Sequence, residues 1–425
     1  MRRIITSILV LLFAAAALAQ NVTVIRAGAL IDGKSRDVKR DQMIVVRGNR
    51  IESVGGWTTP PAGANVIDLS GMTVLPGMID THTHLFLQGE DPAEGGYDVQ
   101  LLKYPASYRT ARAVVAARRA LEQGFTTIRD VETEGAGYGD VGLKMAINEG
   151  RIPGPRIFAS TRAISTTGGY NLEGYAPEVT VPKGAQLIDG PVEARKAARE
   201  QLENGADWLK VYMTHRSWLD KQGNLVSQPT LTTDELRAIV DEAHGWKRKV
   251  ACHAYGGEGL RRALDGGCDS IEHGLDLDDA AIGQMVKQGT WYVPTLYVYT
   301  TDNEPADSAA GKRDRKRVAL HTPSFQKAMK AGVKIAFGTD VGGFPWTDPI
   351  ATEFTFMTQY GMSPMDAIRS ATSSAADMLD MTGELGVIAP GAYADVVAVQ
   401  GDPIANIAVL KNVSFVMKDG NVFKR

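Results

Sequence analysis

Between residues 75 and 340 short apolar runs recur, each followed by a stretch of helical texture, and this alternation limits the fold more than any other feature. The runs are "LPGMIDTHTHL", "FTTIRDV", "RIFAS", "WLKVYM", "KVACHA", "DSIEHG", "TWYVPTL" and "VKIAFGTD". An Ala-rich helix is predicted over residues 106–123, stopped by Gly124. Another opens at Thr232-Thr233-Asp234-Glu235, a capping-box start, and runs to about residue 246. Eight short strands separated by helices predict an α/β chain closed into a (β/α)8 TIM barrel.

The two ends read differently. Residues 22–75 and the last forty residues are short β segments with turns, and Asp419-Gly420 is a hairpin signal. We expect a small β-sandwich domain from residues 20–75 and 385–425, leaving 76–384 to the barrel. The first nineteen residues, with Arg2-Arg3, an apolar core and Ala17-Leu18-Ala19, follow the secretory signal pattern. The expected location is therefore periplasmic or secreted, with no membrane association after cleavage. With 46 Lys and Arg against 49 Asp and Glu, the net charge of −3 offers nothing to a nucleic acid and points to a small-molecule partner. A homo-oligomer is compatible with the sequence, which specifies none. Export permits a disulfide, but Cys252 and Cys268 each sit in an apolar run where a small buried thiol is the ordinary expectation.

In a (β/α)8 barrel the chemistry stands at the C-terminal ends of the strands. There the sequence places His82 and His84, Lys210, His253, His273 and Asp340, so four of the seven histidines face one mouth. His82 and His84, two apart on a strand, project to one face. A single strand-end histidine is ordinarily a hydrogen-bonded loop residue; the joint arrangement points to a metal. His215, His244 and His321 are left as ordinary residues, the last two solvated. Lys210 lies among Trp208, Leu209, Val211 and Tyr212, where desolvation lowers an amine's pKa. A neutral amine can add carbon dioxide to give a carbamate (N6-carboxylysine), an anionic ligand able to bridge two cations. A salt-bridged lysine is the plainer alternative.

The motifs "GMIDTHTH", "GFTTIRDV", "LKVY", "HAYGGEG", "DSIEHG" and "FGTD", in this order, closely resemble the amidohydrolase superfamily. Within it the chain is similar to the branch of Xaa-Pro, Xaa-Arg and Xaa-Lys dipeptidases and ochratoxin-hydrolysing amidohydrolases. The resemblance implies two divalent metal ions, for which nitrogen-rich ligands favour zinc. His82, His84 and Asp340 would hold the more buried ion and His253 and His273 the more exposed one, with carboxylated Lys210 bridging. Asp340 would also be the catalytic base. One departure is Tyr170, which stands where relatives often carry a histidine.

The expected reaction is hydrolysis of the amide bond of dipeptides or N-acyl amino acids with a free carboxylate, ochratoxin-type aryl amides included. Arg162, Tyr212 and Tyr255 are candidates for binding that carboxylate. Tyr170, Asn171, Tyr175, Phe344 and Trp346, on long loops over the mouth, are candidates for the substrate side chain, packing within the loops being the alternative. Competing readings are a mononuclear deaminase or cyclic-amide hydrolase, which often carries a His-x-x-Glu after the fifth strand where this chain has His253-Ala254-Tyr255-Gly256, and a non-catalytic binding barrel.

Overall fold

The computed structural model describes residues 22–89, 96–170, 172, 174–300 and 304–425. The signal-like segment and Asn171 lie outside them. All eight predicted strands form: Met78–Thr83, Phe125–Asp130, Arg156–Ala159, Trp208–Tyr212, Lys249–Gly256, Ser270–Asp276, Trp291–Val293 and Lys334–Ile335. The first three pair in parallel as one sheet. The other five form a second sheet, in the order Lys334–Ile335, Trp291–Val293, Ser270–Asp276, Lys249–Gly256, Trp208–Tyr212, extended by Ile164–Ser165 and Gln186–Leu187.

The ladders do not run unbroken around a ring; the architecture they define is mixed α/β with a sheet-rich domain. Backbone bonds span both gaps. Asp207 N donates to Ala159 O at 2.8 Å, Thr81 N to Phe337 O at 2.9 Å and Asp340 N to His82 O at 2.8 Å. The eighth strand is short because Gly338 follows it closely and Asp340 turns to a φ of 64°. A Cβ on Gly338 would stand 2.9 Å from that of His82, so glycine allows the close approach of first and last strands.

The helices cover the strands with apolar stripes. Ala106–Glu122 buries Ala113, Ala116, Ala117, Ala120 and Leu121, small side chains that let the helix sit close to its neighbours. Thr233–Gly245 begins as predicted: Thr232 Oγ1 accepts from Glu235 N, and Glu235 Oε2 accepts from Thr232 N at 2.7 Å.

Both chain ends enter one seven-stranded sheet, in the order Asn421–Lys424, Val413–Lys418, Val396–Gln400, Asn65–Pro76, Val22–Ile31, Val38–Arg47, Arg50–Gly56. The expected sandwich is corrected in this respect. Asn65–Pro76 pairs on one edge with Val22–Ile31 and on the other with Val396–Gln400, so the N- and C-terminal strands share a single ladder. Asp419 and Gly420 both take positive φ, 49° and 75°, as a tight hairpin turn requires.

The expectation of buried free thiols is overturned. Cys252 and Cys268 form a disulfide with Cα atoms 6.1 Å apart. Cys252 lies in Lys249–Gly256 and Cys268 two residues before Ser270–Asp276, the strand paired beside it.

Candidate metal centre and active site

His82 lies near the end of Met78–Thr83 and His84 just past it, both buried, with ring centroids 5.4 Å apart. Their Nε2 atoms lie 3.5 and 3.0 Å from Asp340 Oδ1. His273 stands 4.9 Å from His82, ring to ring, and His253 stands 4.4 Å from His273. With Lys210 these six residues line one cavity of about 620 Å³. His82, His273 and Asp340 form its tightest group, with one donor atom from each all within 4.8 Å of one another.

The imidazoles are held from behind. His82 Nδ1 lies 2.6 Å from Glu272 Oε2, which assigns the proton to Nδ1 and leaves the Nε2 lone pair toward the cavity. His273 Nδ1 is 2.8 Å from Thr295 Oγ1. Asp80 ties the first strand to the last, accepting from His82 N at 3.0 Å and from the Thr339 hydroxyl. Burial pushes the Asp80 carboxyl up to about 7.

A metal fits this donor set. His82 Nε2 and His253 Nε2 are buried without a hydrogen-bond partner among the described residues, a costly state for a nitrogen that nothing coordinates. Burial lowers the His84 imidazole, but its hydrogen bond to Asp340 and the charges of Asp340 and Glu134 outweigh this and hold it at about 9, whereas burial and the neighbouring cations hold His82, His253 and His273 well below the ordinary value. Lys210 is buried with Nζ 5.7 Å from the Tyr212 ring centroid. Among the described residues no carboxylate lies in ion-pair range of it. Burial lowers its amine below the ordinary lysine value against the pull of Glu272, Asp340 and Glu132.

Tyr170, Tyr212 and Tyr255 line the cavity, whereas Arg162 does not; it faces Glu200 at 3.6 Å. Arg162 thus lies off the lining, while Tyr212, on it, has its hydroxyl donating to Glu132 Oε2 at 2.7 Å. Tyr170 likewise donates to Glu134 Oε2 at 2.6 Å. Phe344 and Trp346 are packed inward, the indole N–H donating to the carbonyls of His84 and Leu87, so the packing alternative holds for both. Tyr175 is exposed and donates to Asp98.

His244 pairs with Asp269 on the surface, as expected. His215 lines the cavity 4.5 Å from the Tyr170 ring, and burial drops it to about 4. His321, expected in solvent, is buried beside Tyr299, and burial drops it to about 3.

Glu132, Glu134, Glu272, Tyr97 and Arg317 also belong to the site or its support and carry little signal in the sequence. Glu272 offered one signal, a charge inside the apolar run "DSIEHG" two residues from Ser270. The others meet the site only through tertiary placement. Arg317 lies 5.2 Å from the Tyr255 ring centroid, donates to Ser217 at 2.7 Å, and is the one arginine among the described residues lining the cavity.

Residues 73–423 match the model of the amidohydrolase family. Ochratoxinase from Aspergillus niger is 32% identical over 432 residues, covering 95% of this chain and 87% of its own. A crystal structure of a Xaa-Pro dipeptidase with bound methionine in the active site is 36% identical at a TM-score of 0.86, covering 95% of this chain and 100% of that one. A prolidase complexed with N-methylphosphonate-L-proline is 30% identical at a TM-score of 0.82, with the same coverage.

Proposed function

The chain belongs to the amidohydrolase family and is a hydrolase of amide C–N bonds, and from that premise we propose a binuclear-metal enzyme that cleaves dipeptides or N-acyl amino acids bearing a free carboxylate. The observation that carries this reading is the convergence of six donor residues on one cavity, with two buried imidazole nitrogens unpartnered. In this reading the two parallel sheets are arcs of one (β/α)8 barrel over residues 76–384, the terminal sheet covers 20–75 and 385–425, and the leader-like first nineteen residues direct export.

His82, His84 and Asp340 would hold one ion and His253 and His273 the other, with carboxylated Lys210 between them. The absence of an ion-pair partner among the described residues and the lowered amine favour the carbamate over the salt bridge. Two divalent ions, zinc by the ligand set, would supply a water acidic enough to ionise near neutral pH and a charge that polarises the scissile carbonyl. Asp340 takes the proton from the attacking water and returns it to the departing nitrogen. Glu272 and Thr295 keep the His82 and His273 rings in place. Arg317, beside Tyr255, already pairs with Asp314 at 3.1 Å and donates to Ser217, and its Nε, without a hydrogen-bond partner among the described residues, is the donor that would receive the substrate carboxylate.

A dipeptide and N-acyl-amino-acid screen with zinc present, repeated after chelation, tests this. Hydrolysis that disappears with the metal and returns with zinc is expected; full activity in demonstrably metal-free protein would sink it. A second reading, a one-metal deaminase or cyclic-amide hydrolase, draws on the tight His82, His273, Asp340 group. About two metals per chain supports the first reading and one the second.

A further inference from the structure

The cavity wall beside His84 carries a carboxylate that the proposed reaction does not use. Glu134 is buried at a φ of 51°, a backbone conformation that non-glycine residues rarely keep without a reason. Its Oε2 accepts hydrogen bonds from both Tyr97 and Tyr170, each at 2.6 Å. Burial, with the Glu134 charge next, keeps both hydroxyls protonated and therefore donating. Two donors on one oxygen hold the carboxylate in a single orientation. Its Oε1 lies 3.7 Å from His84 Nδ1, beyond hydrogen-bond range.

Among the described residues no lysine or arginine forms a direct ion pair with it, although the Arg109 charge acts on it at longer range. Arg109, the nearby guanidinium, donates to the carbonyls of Phe86 and Thr133. The other carboxylates of the lining include Asp314, which is matched by Arg317 at 3.1 Å, and Asp98, which takes the Tyr175 hydroxyl. Glu134 is thus a buried carboxylate, aimed by two hydroxyls and with no hydrogen bond to its Oε1 among the described residues, on a wall whose rings, Tyr97 edge-on to Tyr170 and Tyr170 4.5 Å from His215, also suit a cation. Arg317 stands on the Tyr255 side of the cavity, 5.2 Å from that ring, and pairs with Asp314 rather than with Glu134.

We infer that Glu134, with Tyr97 and Tyr170, forms a subsite for the α-ammonium of the substrate, so that the preferred class is unblocked dipeptides rather than N-acyl amino acids. This rests on the amide-hydrolase reading above. A primary ammonium brings three donors and a charge to an oxygen that already has its geometry set. An acyl chain brings neither and leaves the buried carboxylate uncompensated.

The test compares kcat/KM for alanyl-proline, alanyl-phenylalanine and alanyl-arginine with their propionyl counterparts, which differ by an ammonium against a hydrogen. Wild-type protein loaded with zinc should favour the alanyl member by tenfold or more, about the effect of one charge-assisted hydrogen bond. Glu134→Gln should bring the ratio down by about tenfold, and Tyr170→Phe should lower it by less, since Tyr97 still orients the carboxylate. The wild-type ratio and Tyr170→Phe carry the test if Glu134→Gln does not fold. Hydrolysis of both members at equal rates, or a ratio untouched by these variants, overturns the subsite while the hydrolase reading stands. Hydrolysis of neither member in any pair overturns both.

Discussion

Replacing Glu272 by glutamine should loosen the candidate metal centre without touching a candidate ligand. Glu272 is fully buried and serves three groups: His82 Nδ1 at 2.6 Å, Arg129 Nη2 at 2.8 Å and the Ser270 hydroxyl. Arg129 is itself fully buried, lies 4.4 Å from the Trp208 ring centroid, and donates from Nε to the Thr81 carbonyl. Taking the charge from Glu272 leaves this guanidinium uncompensated. Breaking a buried ion pair on one side costs about 3–5 kcal/mol; glutamine can still accept one bond, so a loss of about 3 kcal/mol is expected. The carboxamide also has only one accepting oxygen for three donors. If its nitrogen faces His82, the imidazole proton moves to Nε2 and the lone pair is lost from the cavity. Disturbing such a partner ordinarily lowers metal affinity or activity by about 10–100-fold. Urea unfolding of the metal-free protein reads the first effect, and zinc titration against a competing chelator reads the second. Glu272→Asp, which keeps the charge, should fall between wild type and Glu272→Gln in both. Wild-type zinc affinity in folded Glu272→Gln would refute the claim that Glu272 sets the His82 tautomer.

Lys210→Ala and Lys210→Arg should both lose metal and rate together, because neither can become a carbamate, and acetate should partly restore Lys210→Ala; an active Lys210→Arg enzyme would end the carbamate proposal. The Cys252–Cys268 disulfide closes a loop with a separation of 16 residues, which in the chain-entropy treatment contributes about 3 kcal/mol. Reduction should therefore lower the urea midpoint, and thiol titration of denatured, unreduced protein should find no free thiol; two free thiols would contradict the bond. Arg317→Gln should lower kcat/KM by about tenfold on substrates with a free C-terminal carboxylate and much less on their amides; equal losses on both would remove Arg317 from carboxylate binding.

Much of the scaffold was legible because it is written locally. The apolar runs marked all eight strands, Thr232 and Glu235 announced their helix, and the strand period placed His82 and His84 on one face. The six candidate donors could be named because each lies in or just after one of five predicted strands, His82 and His84 sharing the first. The supporting residues are different. Glu132 and Glu134 resemble any charged loop in "RDVETEGAG", and only folding brings Tyr212, Tyr170 and Tyr97 onto them. Arg317 lies in a charged helix, Ala309–Ala331, whose composition suggests solvent on most sides. The disulfide was not legible because an apolar run is equally good company for a thiol, and only the fold puts Cys268, just before one strand, beside Cys252 in its neighbour. His321 was misplaced for the same reason as Arg317, since a charged neighbourhood in sequence did not predict which face of that helix turns inward.

The shared sheet has a consequence for how the chain comes together in time. Asn65–Pro76 is bordered on one side by Val396–Gln400, and the Thr73 hydroxyl donates to the Gly401 carbonyl, 328 positions away. At synthesis rates of about 5–20 residues per second, that edge waits on the order of tens of seconds for its partner. Meanwhile Met72, Val74 and Pro76 lie along an unpaired strand edge, the kind that recruits other chains. Pairings this distant are also slow to close. A chain lacking residues 396–425 retains every candidate site residue and leaves the edge permanently bare, so its defect should show first as aggregation, with catalysis lost only as a result.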